Sequence, residues 1–176
     1  MQHKRHITGI LFSLLPVFLG SVSQAKAQQL SVVSPYQGTW HYQNGNELFI
    51  VTLWKEGDSL LGHYKMVTIN SSGVIISTLY NSRKLYNANS QIKWPPVINT
   101  SIVDFSASGV FLDNTINYEN VSSLAGDIRL DMQQTSPLTI HWKIKKGKGI
   151  RLINEPELNI PIDIILTKVS NEIDLE

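Results

Sequence analysis

From Gly38 onward the chain is a succession of short apolar runs broken by residues that tolerate a turn. Nowhere does it sustain the period of about 3.6 residues that an amphipathic helix needs. The breaks at Asn44-Gly45-Asn46, Glu56-Gly57-Asp58-Ser59, Asn70-Ser71-Ser72-Gly73 and Ser106-Ala107-Ser108-Gly109 carry hairpin chemistry, because Gly, Asn and Asp accept the positive φ of tight turns. Strands are expected near 38–43, 47–55, 60–69, 74–80, 98–106, 109–118, 126–133, 138–145 and 160–169, with a weaker one near 150–153. Runs joined this closely should be antiparallel neighbours.

The alternation shows which faces are wet. Ile128, Leu130 and Met132 oppose Asp127, Arg129, Asp131 and Gln133, and Leu138, Ile140, Trp142 and Ile144 oppose Thr139, His141, Lys143 and Lys145. The run 47–55 differs: Leu48, Ile50 and Trp54 share one face while Phe49, Val51 and Leu53 share the other, so something must cover its second side. The fold class is therefore all-β. An antiparallel up-and-down meander closing as a small barrel is favoured, since closure removes exposed edges; a β-sandwich is the alternative. Only 81–97 is long enough for a crossover.

The first stretch follows other rules. Lys4 and Arg5 precede an apolar run over 7–22, and Ala25-Lys26-Ala27 supplies a small-x-small pattern, so a signal peptide of residues 1–27 cleaved before Gln28 is expected. The rival reading is an uncleaved anchor. Cleavage would take Lys4, Arg5 and Lys26 from the 15 basic residues and none of the 14 acidic ones, moving the formal charge from +1 to −2. That balance gives no support to nucleic-acid binding. The expected location is secreted or periplasmic, with no integral membrane segment after signal removal. Residues 28–170 would form one domain and 171–176 a frayed acidic tail. The absence of cysteine excludes a thiolate metal site and a cysteine nucleophile.

Gly38-Thr39-Trp40 on the first strand, ahead of a meander, resembles the lipocalin-like (calycin) barrels. The resemblance implies that Trp40 plugs one barrel end and that a late arginine, Arg129 or Arg151, packs across it. This chain turns at once through Asn44-Gly45-Asn46, where lipocalins place a ligand-capping loop. A second resemblance covers most of the mature chain. GTWHYQNGN, Gly62-His63-Tyr64-Lys65, Asn159-Ile160-Pro161 and Leu166-Thr167-Lys168 are similar to an uncharacterised family of small secreted bacterial proteins of unknown function. It implies a lipocalin-like barrel and no known activity.

No signature for catalysis, metal or cofactor stands out: HExxH, a serine elbow and a phosphate loop are absent. His41, His63 and His141 read as surface histidines. Asp127 and Asp131 share a wet face. Asp104 and Asp113, flanking the turn expected at 106–109, would share a proton only if both pointed inward. Lys143 to Arg151 concentrate five positive charges on an expected hairpin. The loop 81–97 mixes Arg83, Lys84, Tyr86, Lys93 and Trp94, which suits an anionic or sugar ligand or a strap over the barrel end.

These readings leave a module binding a small apolar or amphipathic molecule through Trp40, Tyr64, Met66, Arg83, Trp94 and Phe111. The alternative is a non-catalytic interaction or structural module partnering an envelope component, its barrel filled by side chains. An enzyme has the least support.

Overall fold

The computed structural model describes residues 34–86, 89–116, 122–147 and 156–175. The expected signal segment, Arg151 and the weak strand near 150–153 lie outside them. Nine strands occupy the described residues: β1 (Gly38–Asn44), β2 (Glu47–Glu56), β3 (Ser59–Ile69), β4 (Ile75–Asn81), β5 (Ile98–Val103), β6 (Ser106–Asp113), β7 (Leu124–Gln133), β8 (Thr139–Lys146) and β9 (Asp163–Ser170). All pairings are antiparallel, and the sheet closes: β1, β2, β3, β5, β6, β7, β8 and β9 form an eight-stranded barrel, with β4 standing outside it. Among the described residues no helix is long and apolar enough to cross a membrane.

β3 decides this topology, because its 11 residues serve two partners on one edge. The first part pairs with β5, from Ser59↔Ser101 to Gly62↔Ile98. The second pairs with β4, from Lys65↔Asn81 to Ile69↔Ile75. The exchange takes two residues: Ser82 donates its N–H to the Tyr64 carbonyl, and Val97 donates to Gly62. The chain between them leaves the barrel and returns. Gly62 is small because a Cβ there would lie 2.8 Å from the Thr52 carbonyl oxygen and 2.6 Å from Leu53.

Three tight hairpins share one geometry. Gly45, Gly57 and Asp104 each open a two-residue loop with φ near 60°, at 61°, 58° and 54°. Glycine does this without strain and Asp at modest cost. The third hairpin corrects the expected turn at 106–109. Its loop is Asp104-Phe105, and Ser106–Asp113 is strand throughout. Asp104 is thus an exposed turn residue while Asp113 is buried, and the pair is not a shared-proton site.

The inner faces supply one core that includes Trp40, Phe49, Val51, Leu53, Tyr64, Phe111, Leu130, Ile140, Trp142 and Leu166. Leu48, Ile50, Val67 and Ile69 form a second, outer cluster on β2 and β3. Beside that outer face lies the segment 171–175, which is not a frayed end. Thr39 Oγ1 donates to the Glu172 carbonyl at 2.9 Å, Thr52 Oγ1 to the Asp174 carbonyl at 2.6 Å, and Arg83 to that of Leu175. This strap, crossing β1, β2 and the start of the 82–97 excursion, is part of the answer to how a strand apolar on both faces is covered.

The seam between β1 and β9 needs Gly38. The register slips between Thr39 and Trp40, Gly38 holds φ at 130°, and a Cβ there would sit 2.1 Å from the Ser170 carbonyl oxygen. Gly38→Ala should therefore lower stability by about 3 kcal/mol through strain and displaced backbone, measured as a fall in the urea midpoint with an unchanged m-value.

Candidate functional site

Four of the six residues expected to contact a ligand meet inside the barrel. Trp40, Tyr64 and Phe111 are essentially inaccessible, and Met66 is buried beside them. Their partners are one another. The Tyr64 ring centre lies 5.5 Å from Phe111 and 5.6 Å from Phe49, and Trp142 packs edge-on to Phe49 at 5.6 Å and Phe111 at 5.8 Å. These are the separations and tilts that aromatic quadrupoles favour. Where the barrel mouth opens near Tyr42, Phe49, Met66 and Pro161, the free space is about 40 Å³. Small-molecule pockets commonly enclose about 300 Å³ or more.

The other two residues lie elsewhere. Arg83 sits outside the barrel, holding the strap. Trp94 belongs to a small hairpin in the excursion, where Leu85 bridges Lys93 and Trp94 packs on Tyr86 at 4.8 Å. Its indole N–H is buried with no acceptor among the described residues.

The mouth beyond the ring cluster is closed by a buried polar network. Asp113, wholly inaccessible, accepts the Tyr64 hydroxyl at 2.7 Å, the Thr115 N–H at 3.0 Å and hydroxyl at 2.7 Å, and the Asn159 N–H at 2.7 Å. Tyr80 donates to the Asn159 carbonyl. Burial, and then the negative charge of Asp113, raise the Tyr64 hydroxyl's pKa well above its ordinary value. The network ties β3, the end of β6 and the approach to β9 together, and its carboxylate is already surrounded by donors.

The opposite end is closed by Tyr36. Its hydroxyl donates to the Phe105 carbonyl at 2.6 Å and approaches that of Leu130 at 3.3 Å, and burial pushes its pKa up to about 12. Its carbonyl takes the Trp40 indole N–H at 2.9 Å. The described cation over Trp40 is not Arg129, and Arg151 lies outside the described residues. Lys168 Nζ lies 5.4 Å from the ring centre and donates to the Pro35 carbonyl at 2.9 Å. Arg129 is exposed and grips Asp131 instead, at 2.9 Å.

Outside the barrel, His63 is buried rather than a surface histidine. Its Nδ1 is 3.0 Å from the hydroxyl of Ser82, which is itself inaccessible and takes the Tyr64 N–H at 2.9 Å. Asn114 donates to the Ser82 carbonyl at 2.7 Å. A serine beside a histidine has the spacing of a nucleophile and its base, but this hydroxyl faces no solvent. The cleft beside it, among Ile50, Thr52, Lys65, Arg83 and Asp174, holds about 10 Å³, one water at most. The other two histidines are half-buried, and His141 lies 2.6 Å from Asp163. Among the described residues no three His, Asp or Glu side chains gather as a metal site.

Sequence reasoning passed over Tyr36, Ser82, Asn114, Lys168 and the burial of His63 and Asp113. Lys168 belongs to a motif that carries the family resemblance, and Tyr36 lies two residues ahead of another; that was the available signal. Ser82 and Asn114 carry none, since each is a small polar residue beside a strand end.

Two measurements probe this arrangement. Asp113→Asn leaves one acceptor where four hydrogen bonds converge, so stability should fall by roughly 2–4 kcal/mol in urea unfolding. Burial, and then Arg83, lower the His63 pKa from 6.5 to about 4. The unfolded chain therefore takes up the proton first. Stability should hold above pH 6.5, drop by on the order of 3 kcal/mol toward pH 4 and level off below. His41, lowered mainly by burial, adds in the same direction. His63→Asn should flatten most of that slope in thermal melts across this range.

No curated protein and no solved structure significantly matches the chain. A family profile does, over residues 4–169. With most of its length matched, from ahead of the barrel to the closing strand, the chain belongs to the family of unknown function DUF6705.

Proposed function

We propose that the protein is an exported, non-catalytic interaction module of the cell envelope, in which the barrel is a rigid scaffold and partners are met on its outer surface. The observation that carries this reading is the interlocked cluster of Phe49, Tyr64, Phe111 and Trp142, in one core with Trp40, which fills the space a lipocalin would offer to a ligand. The two barrel ends support it, one closed by Tyr36 and the other by the Asp113 network. Export rests on the basic, apolar and small-x-small order of residues 1–27. The resemblance to small secreted bacterial proteins adds to that. The nearest approach to a catalytic pair, Ser82 with His63, has its hydroxyl sealed in and its hydrogen bonds spent on structure.

Native mass spectrometry of the purified barrel with a panel of fatty acids and lysolipids should return the protein mass alone. A one-to-one adduct lost in Phe111→Ala or Tyr64→Phe, and retained when outer residues are changed, would overturn the proposal in favour of an internal apolar or amphipathic ligand.

A further inference from the structure

We infer that the part of the chain standing outside the barrel, β4 with the following hairpin, is a docking surface for an anionic lipid membrane. The inference rests on the outer-surface reading above and names its partner.

Three observations converge on residues 74–93. The first is apolar exposure. Val74, Ile75, Ile76, Leu79, Leu85, Tyr86 and Ile92 are between 46% and 72% exposed, and they are half of all the exposed large hydrophobic residues among those described. Scattered exposed leucines or valines need no explanation, but a concentration on one projecting segment does. The second is charge. Residues 59–103 contain no Asp or Glu, whereas Lys84 and Lys93 are exposed on the hairpin and form no ion pair with a described residue. Arg83 lies at its base. The third is aromatic composition: the exposed Tyr86 packs on Trp94 beside these lysines, and a tyrosine ring, apolar in body with a polar edge, favours the boundary between headgroups and acyl chains.

Aliphatic side chains, interfacial aromatics and unneutralised lysines together match a surface that is apolar beneath and negative at its face. Other occupants fit less well. A second copy pairing through the free edge of β4 would bring the same patch onto itself about a two-fold axis. Lys84 and Lys93 would then lie toward the opposite end of the partner's β4, and no acidic residue in 59–103 would pair with them. A sugar would find few hydrogen-bonding groups among Val74, Ile75, Ile76 and Leu79.

The test protein is the chain from Gln28 onward, whose barrel closes on itself and carries its own core. It is sedimented with vesicles of equal phosphatidylglycerol and phosphatidylcholine, and with phosphatidylcholine alone. Binding is expected to the first, at least tenfold weaker to the second, and lost in high salt. Lys84→Gln with Lys93→Gln should weaken binding roughly tenfold or more, since each basic residue near an anionic surface adds about a fivefold factor. Ile76→Ser with Ile92→Ser should weaken it comparably, and unchanged thermal melts would show that both doubles still fold. Equal binding to both vesicles, no binding to either, or binding that ignores these substitutions overturns the inference. So does a dimer in sedimentation equilibrium that the Ile76→Ser, Ile92→Ser protein no longer forms, because the patch would then serve self-pairing. None of these outcomes depends on whether the interior holds a ligand, which the mass measurement decides separately.

Discussion

The structure depends on one strand serving two partners on the same edge. β3 pairs with β2 along nearly its whole length, and the point at which its other edge passes from β4 to β5 is where sheet and polar chemistry meet. Gly62 lets the neighbouring strands close in. Tyr64 accepts the incoming Ser82 N–H on its carbonyl, gives its own N–H to the Ser82 hydroxyl and sends its phenol to Asp113. The N–H and carbonyl of Tyr64 and the carbonyl of Gly62 are thereby engaged at the change of partner. Where a sheet ladder is interrupted inside a protein, the orphaned groups are satisfied or they cost stability. Here a serine, a histidine, an asparagine and an aspartate supply the partners.

That arrangement bears on what the inside of the barrel can hold. Small barrels can be filled by side chains or left open for one ligand. This one is filled, with tryptophans at two depths and tyrosines at both ends. A filled barrel gains rigidity from burying large aromatic rings and loses the cup. It has no disulfide to compensate for a looser core, since the chain has no cysteine. Variation in function then falls to what stands outside the wall, and β4 with its hairpin is the largest such addition among the described residues.

The fold was legible to a considerable degree because its determinants are local. Alternation over 126–133 and 138–145 placed two strands and their faces almost residue for residue, and glycine marked two of the three tight loops. The third was missed for a physical reason. Asp104 adopts the backbone conformation that glycine usually takes, and Phe105 is an apolar residue exposed at a loop tip, its carbonyl engaged by Tyr36 and Met132. Period-based reading takes such a phenylalanine for strand interior. The candidate site was less legible. Trp40, Tyr64, Met66 and Phe111 were placed together, but whether a ring of aromatics encloses space or fills it depends on centroid distances that no spacing encodes. Lys168 lies over Trp40 because the slipped register of β9 on β1 sets the two residues opposite each other. The burial of His63 follows from the 82–97 excursion and the strap meeting above it.

The seam between β1 and β9 has a consequence for how the chain comes to be folded at all. The hydrogen bond from Thr39 to Glu172 spans 133 residues, and Lys168 reaches Pro35 across the same distance. Contacts this remote are formed late, after the cost of closing the loop between them has been met. A nascent chain emerging from the ribosome can build its hairpins early, but it cannot close the wall until β9 has been made. Until then the inner faces of β1 and β2 stay open. A polypeptide that cannot complete its wall while being synthesised stays open along one edge until its last strand has been made.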